Sequence, residues 1–176
     1  TNSDRKKTFD SEIINASHRF FWIFSKSNKN VKNYYNDIKT WLKLFDDKQD
    51  HIAWHPYNTS ERICNWLNFL GFFLKNNDPK IVSSINKQIN FLIENLEYPA
   101  SKIINNHILN NARALYISGS ILNRVDVKEL GKEIFYNHLK SLISKNGFLI
   151  ECSVHYQLLV NRWLTEVYIL AKLTKD

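Results

Sequence analysis

The sequence predicts an all-α fold, and three observations carry that prediction. Gly and Pro are scarce, with four and three among 176 residues, which favours long helices over a many-stranded sheet. Apolar residues recur at spacings of three and four along almost the whole chain, the period of an amphipathic helix. The breaks between these stretches are short and polar. We therefore expect roughly six or seven helices, with antiparallel neighbours joined by short loops.

Two helices are predicted before residue 50. The apolar positions of the first are Phe9, Ile13, Phe20, Phe21 and Phe24. It should stop before the polar stretch 25–30, where the apolar period is lost. The apolar positions of the second are Tyr34, Ile38, Trp41, Leu42 and Phe45. Their spacing predicts one helix face directed at a core.

Residues 51–57 interrupt the helical pattern. Pro56 biases His55 away from helical geometry, so we expect an irregular loop rich in aromatic residues. The side chains of residues 58–60 are Asn, Thr and Ser, which favour the N-cap position of a helix. A third helix is predicted from there to the break at residues 76–79, with the clearest apolar face in the chain.

Four further helices follow. The fourth runs from Ile81 to Leu96 before Pro99, and the fifth from Ile104 to Leu115 before Gly119. The sixth covers Val127 to Ile143 and ends at Asn146 and Gly147. The seventh begins near Ser153 and continues to the carboxyl end. We see no linker, so residues 1–176 are predicted to form a single helical domain.

The formal charge of +7 comes from 24 Lys and Arg against 17 Asp and Glu. Such a charge favours encounter with polyanions. The basic residues are scattered, with 5–7 as the only tight run, and this argues against nucleic acid as the partner. No apolar run approaches the length of a membrane span, so none is expected.

Neither a metal site nor a cofactor is expected. Cys64 and Cys152 stand alone, without a CxxC pair or a His at metal-ligand spacing, and we expect both to be buried; whether they pair is left open. No Gly-rich phosphate loop is present. These observations exclude the common nucleotide, redox and zinc classes as first hypotheses.

Three segments hold polar groups that helix packing alone does not require. They read WHPYNTSERICNW at 54–66, NNHILNNARAL at 105–115 and NGFLIECSVHYQ at 146–157. In this order they resemble three segments of the heparinase II/III family, which includes alginate lyase-like enzymes. The resemblance spans about residues 54 to 168 and implies an α/α toroid built from helical hairpins.

The resemblance implies a polysaccharide lyase that cleaves a uronic-acid polymer by β-elimination. Such an enzyme neutralises the uronate carboxylate, removes the C5 proton and protonates the departing O4 oxygen. Asn106 and His107 match the family's Asn-His pair, which neutralises the carboxylate, and His107 is also a candidate base. Tyr156 matches the catalytic tyrosine, as proton donor to O4 or as base.

Three further residues are predicted to bind or orient the substrate. Arg62 is a candidate clamp for a carboxylate, and Trp54 is a candidate platform for a sugar face. Glu151 is expected to orient a neighbouring group. Two positions depart from the family pattern: Asn146 stands where Asp is frequent, and Gln157 stands where His often follows the tyrosine.

Other expectations rest on the resemblance alone. Family members are about twice this long and carry a β-sandwich, so we interpret the chain as the partial toroid of a longer protein. Members that degrade polysaccharides are exported, which implies a periplasmic or secreted location. Two alternatives stay open: a non-catalytic glycan-binding or polysaccharide-assembly module with the same fold, and a helical scaffold for nucleic acid or protein.

Overall fold

A computed structural model describes residues 2–24, 31–74, 78–98 and 106–176, except for the side chains of 2–9 and 74. Within these ranges the chain forms seven α-helices and no β-strand. The all-α prediction is therefore confirmed. The predicted breaks at 25–30 and 76–77, and the predicted roles of Pro99 and Ile104, lie outside the described residues.

The seven helices lie within the four described ranges. Their bounds are α1 Asn2–Arg19, α2 Val31–Phe45, α3 Pro56–Phe69, α4 Pro79–Glu94, α5 His107–Ile121, α6 Val125–Leu142 and α7 Val154–Thr174. Three single turns accompany them. Two are 3₁₀ turns at Phe21–Phe24 and Ile52–Trp54, and one is a π turn at Leu70–Leu74 that continues α3.

The chain forms two compact units, Thr1–Glu94 with α1 to α4 and Asn95–Asp176 with α5 to α7. Each has its own buried apolar residues. The single domain expected over residues 1–176 stays a prediction. Among the described helices, none has the length and apolar character needed to span a membrane.

The first unit is built around α3, which is buried along nearly its whole length. Aromatic rings form much of its core. The Trp41 ring of α2 meets the Trp66 ring of α3 edge-on, with centroids 5.2 Å apart, an arrangement that aromatic quadrupoles favour. Ile85 and Ile89 of α4 are fully buried in the same unit. The predicted apolar faces of α2 and α4 therefore contribute to the core, whereas Ile13, Phe21 and Phe24 of the predicted first helix are exposed.

The start of α3 differs from the prediction. Residues 58–60 were expected to cap the helix, but its N-cap is His55, whose Nδ1 accepts from the backbone N–H of Tyr57 at 3.3 Å. Pro56 occupies the first helical position, where its fixed φ and missing N–H are tolerated. The proline therefore opens the helix, and the predicted loop 51–57 is shortened by it and by the turn Ile52–Trp54.

In the second unit, α5 and α6 form a closely packed antiparallel hairpin. A Cβ on Gly119 would lie 2.4 Å from the backbone nitrogen of Lys128, and one on Gly131 would lie 2.4 Å from that of Tyr116. The prediction that Gly119 ends the fifth helix is wrong, because α5 continues to Ile121. The two glycines serve the close approach of the helix backbones.

Both cysteines are free thiols. Cys64 is fully buried in α3, as predicted. Cys152 is exposed, contrary to the prediction, because it lies in the turn before α7 with a positive φ of 53°. Few non-glycine residues adopt this conformation, and here it turns the chain into α7.

Candidate functional site

The six predicted site residues divide between the two units. Trp54 and Arg62 belong to the first, whereas Asn106, His107, Glu151 and Tyr156 belong to the second. The second unit therefore holds all three residues to which the resemblance assigns the reaction. They lie at the start of α5 and at the start of α7.

Asn106 occupies the N-cap position of α5 without capping it. Its backbone is helical, with φ −76° and ψ −7°, and its side chain makes no capping hydrogen bond. Instead its Nδ2 donates to Oε2 of Glu151 at 3.1 Å. Because Asn106 is buried, this long-range bond satisfies a polar group that burial would otherwise penalise.

His107 is the first residue of α5. Its Nδ1 lies 2.8 Å from Oε1 of Glu97. The ring is only partly enclosed, with 42% of its side-chain area exposed. A histidine held at one nitrogen by a carboxylate and still exposed to solvent is suited to proton transfer or to binding an anion.

Glu97 was not predicted as a site residue. It lies ahead of Pro99 in an irregular segment, ten positions before His107, and no spacing rule relates the two. Its Oε2 accepts from Nδ2 of Asn111 at 3.1 Å, and its backbone N–H donates to Oδ1 of Asn111 at 2.9 Å. Asn111 belonged to the second predicted segment without a role, and the structure gives it one.

Further along α5, a cluster of polar side chains around the buried Arg113 joins α5 to α7. Nε of Arg113 donates to Oε2 of Glu166 at 2.6 Å, and its Nη1 donates to Oδ1 of Asn110 at 2.5 Å. Arg113 is almost completely buried, and its guanidinium lies 5.6 Å from the centroid of the Trp163 ring. These contacts stabilise the packing of α5 on α7.

The third predicted segment begins as a short hairpin. Ile143 and Leu149 form an isolated antiparallel bridge, and the turn between them ends at Gly147, whose φ is +82°. Only glycine adopts this φ without strain. Asn146 lies within the turn, a position that suits Asn as well as Asp.

Gln157 ties this hairpin to α7. Its Oε1 accepts from the backbone N–H of Leu149 at 2.6 Å, and its Nε2 donates to Oδ1 of Asn161 at 3.1 Å. Both ends of the amide are therefore committed to local structure. At the position where the family often has His, this chain has a residue that supports the loop.

Tyr156 lies in the first turn of α7, as predicted. Ser153 is the N-cap, and its hydroxyl accepts from the backbone N–H of Tyr156 at 3.4 Å. The Tyr156 side chain is partly accessible, with 42% exposure. Glu151 lies five residues earlier, and its bond to Asn106 links the turn before α7 to the start of α5.

The structure gives Trp54 and Arg62 roles inside the first unit. Trp54 is fully buried and its Nε1 donates to the carbonyl of Phe45 at 2.7 Å. Arg62 is also fully buried, and its guanidinium lies 4.0 Å from the centroid of the Trp41 ring. Their burial gives no support to the prediction that either contacts a substrate.

The Arg62 guanidinium is held by neutral acceptors. They are Oε1 of Gln88, the carbonyls of His18 and Ala53, and Oγ1 of Thr59, at 2.6 to 3.2 Å. Burial lowers the pKa of Arg62 to about 9, and the carboxylate of Asp46 opposes this shift. The residue is a buried cation enclosed by aromatic rings, which cation-π attraction stabilises.

A cavity of about 440 Å³ lies beside the hairpin in the second unit. Its lining is mostly apolar and includes Phe148, Leu149 and Leu158. None of the predicted site residues lines it. The described part of the chain holds no group of three or more His, Cys, Asp or Glu side chains suited to a metal ion.

Comparisons with known protein families, with curated proteins and with solved structures found no match to this chain.

Proposed function

We propose that the chain is part of a polysaccharide lyase that cleaves uronic-acid polysaccharides by β-elimination. The proposal includes the partial α/α toroid and the export that the family resemblance implies. Its catalytic groups are Asn106, His107 and Tyr156. Trp54 and Arg62 act inside the fold and take no part in it.

The hydrogen bond between Asn106 and Glu151 is the observation that carries this proposal. It joins two of the three segments on which the resemblance rests, across 45 positions of sequence. Its effect is to hold Asn106 and the turn before Tyr156 next to each other.

The roles follow from the chemistry of each side chain. The amide of Asn106 donates to the uronate carboxylate and stabilises the charge that develops when C5 is deprotonated. His107, at the N-terminus of α5, lies where the helix dipole favours an anionic group. The partly exposed phenol of Tyr156 protonates the departing O4 oxygen.

The net charge of +7 supports the same substrate class. A polyanion is attracted over long range by such a charge, which raises the rate of encounter. Neutral glycans gain nothing from it. Uronate polymers are therefore expected to bind more weakly as salt is added, because added ions screen the attraction.

The test is ultraviolet absorbance of the unsaturated uronate product. The chain is mixed with a panel of heparan-type, alginate-type and bacterial surface polysaccharides that contain uronate. Tyr156→Phe removes the proposed acid, and Tyr168→Phe is the matched control, since Tyr168 is an exposed tyrosine of the same helix.

We expect absorbance to rise with at least one polymer. The rate of this rise should fall by about 10²-fold or more with Tyr156→Phe and should be unchanged with Tyr168→Phe. Equal activity of the two variants would remove Tyr156 from the mechanism. No product with any polymer, from this chain and from the longer protein that the resemblance implies, would overturn the lyase proposal.

A non-catalytic glycan-binding module is the second candidate, and the contacts of Gln157 favour it. Both ends of that amide support local structure, and an amide cannot relay a proton as imidazole does. This candidate predicts salt-sensitive binding of the same polymers without ultraviolet product. Binding measured by calorimetry beside the absorbance assay separates the two.

A further inference from the structure

The carboxylate of Glu97 contacts two side chains at the start of α5, one with each oxygen. Oε1 lies 2.8 Å from Nδ1 of His107, and Oε2 accepts from Nδ2 of Asn111 at 3.1 Å. The backbone N–H of Glu97 donates to Oδ1 of Asn111 at 2.9 Å. The three contacts constrain the orientation of the Asn111 amide and the tautomer of His107.

The orientation of the Asn111 amide follows first. A backbone N–H can only donate, so the Asn111 atom that faces it must be the oxygen. The amide nitrogen of Asn111 then faces Oε2 of Glu97 as a donor. Turning the amide over would set two donors against each other at the Glu97 backbone.

The protonation of His107 follows next. A carboxylate oxygen only accepts, so the Nδ1 atom that it meets carries the hydrogen. In the neutral ring the lone pair then lies on Nε2. A neutral imidazole has one acceptor nitrogen. Here that nitrogen is Nε2, because Nδ1 carries the hydrogen that Glu97 accepts.

We propose that Glu97, oriented by Asn111, is a positioning residue that makes Nε2 of His107 the base for the C5 proton. This rests on the proposed lyase function and deepens it. The resemblance left His107 with two roles, donor to the uronate carboxylate or base. The contact with Glu97 selects the base and leaves carboxylate neutralisation to Asn106.

The step balances with groups already named. Nε2 takes the C5 proton, the C5–H electron pair forms the C4–C5 double bond, and the C4–O4 bond breaks as O4 takes the phenolic proton of Tyr156. His107 becomes an imidazolium whose Nδ1 hydrogen stays hydrogen-bonded to Oε1 of Glu97. The imidazolium then releases its proton to solvent, and solvent returns a proton to the tyrosinate, so both groups regain their starting states.

Glu97→Gln tests the idea because Asn111 dictates how the new amide sits. Nδ2 of Asn111 donates to this carboxyl group, so the oxygen of the introduced glutamine turns toward it and the NH₂ group of that glutamine turns toward His107. Nδ1 must then accept, and the hydrogen moves to Nε2. The variant keeps the shape of the side chain and reverses the tautomer of His107.

Exchanging the two groups should restore the original state. In Glu97→Gln combined with Asn111→Asp, the introduced aspartate accepts from both the backbone N–H and the NH₂ group of the introduced glutamine. The oxygen of that glutamine then faces Nδ1 of His107 and accepts its hydrogen. The charge of the pair is the same as in the unmodified chain, so only the arrangement is tested.

The direct readout is ¹⁵N NMR of histidine-labelled protein, at a pH where imidazole is neutral. The two ring nitrogens give separate signals according to which carries hydrogen, and His107→Gln assigns the signal among the six histidines. We expect hydrogen on Nδ1 in the unmodified chain, on Nε2 in Glu97→Gln, and on Nδ1 again in the double variant. Hydrogen on Nε2 in the unmodified chain, or an unchanged tautomer in Glu97→Gln, overturns the proposal.

Kinetics test whether the tautomer matters. On a polymer that the unmodified chain cleaves, Glu97→Gln should lower kcat by about 10²-fold with little change in KM, since a general base contributes on this scale. The double variant should recover most of that loss. Equal kcat in all three proteins overturns the role of Glu97, whereas absence of product from the unmodified chain and from the longer protein overturns the lyase function and leaves the NMR result to decide the tautomer.

Discussion

Asn106 donates a hydrogen bond from Nδ2 to Oε2 of Glu151 at 3.1 Å, and the two residues are 45 positions apart in the chain. The bond connects the start of α5 to the turn that precedes α7. Asn106 is buried, whereas Glu151 is partly exposed. The second unit therefore has a polar contact where its two predicted catalytic segments meet.

Removing the acceptor of this bond should lower lyase activity. Glu151→Ala leaves the Asn106 amide without its partner, and we expect kcat to fall about 10-fold, in the range found when an orienting partner is removed. Glu151→Gln retains an oxygen that accepts, so its kcat should stay within about threefold of the unmodified value. Equal loss in the two variants would show that the charge, not the hydrogen bond, is what matters.

Alanine at either glycine of the α5–α6 hairpin should destabilise the second unit. A Cβ at Gly119 or Gly131 would lie 2.4 Å from backbone nitrogen of the facing helix, so the helices must separate. We expect a loss of about 2 kcal/mol or more in the free energy of unfolding, which exceeds the gain of about 1 kcal/mol from replacing a helical glycine.

Gly71→Ala is the matched control, because a Cβ there would meet no atom within 4 Å. It should leave the free energy of unfolding unchanged or raise it slightly. Urea titration followed by circular dichroism measures all three variants. Gly119→Ala as stable as Gly71→Ala would contradict the close approach of α5 and α6.

Arg62→Lys should destabilise the first unit although the charge is kept. Lysine cannot place donors on Gln88 and Ala53 together while stacking on the Trp41 ring as guanidinium does. We expect the free energy of unfolding to fall by about 2 to 4 kcal/mol, because buried acceptors lose their partners. Tryptophan fluorescence during urea titration reports on this unit, since four of the five tryptophans lie in it.

Arg19→Lys provides the comparison in the same unit. Arg19 is partly exposed; it pairs with Glu12, an exposed carboxylate, and its Nε donates to Oδ1 of Asn58 at 2.8 Å. The surface pair contributes little and one lost hydrogen bond costs about 1 kcal/mol, so the loss should stay below about 2 kcal/mol. If Arg62→Lys and Arg19→Lys lowered the free energy of unfolding by the same small amount, the buried contacts of Arg62 would not contribute to stability as proposed.

The first unit should lose stability in mild acid through His18. Burial, helped by the positive charge of Arg62 and by His51, lowers the pKa of His18 from its ordinary 6.5 to about 4. Nδ1 of His18 also accepts from Nε1 of Trp41 at 3.2 Å, a bond that protonation removes. The unfolded chain binds this proton near pH 6.5, whereas the folded chain resists it.

The contribution of neutral His18 is therefore complete above pH 6.5 and is lost as the pH falls toward 4. The expected loss is up to about 3 kcal/mol in the free energy of unfolding over that window. His18→Asn retains an acceptor for Trp41 and cannot titrate, so its unfolding free energy should change less over the same range. Parallel pH profiles for the two proteins would count against this assignment.

The sequence by itself determined which stretches are helical. Apolar period acts within a few residues, so most of the helices and the start of α7 near Ser153 could be predicted from local pattern alone. Some residues are compatible with two local structures, and the sequence pattern could not decide between the two. Pro56 can end a helix or open one, and Gly119 can stop a helix or admit a neighbour.

Only the tertiary structure decided which polar residues are buried and which distant groups pair. Arg62 and Trp54 are residue types that suit a substrate-binding site, yet they lie in the core of the first unit. Glu97 carries no local sign of its contact with His107, ten positions later in the chain. Local backbone preferences are set by neighbours in sequence, whereas burial and long-range hydrogen bonds depend on residues brought together only when the helices pack.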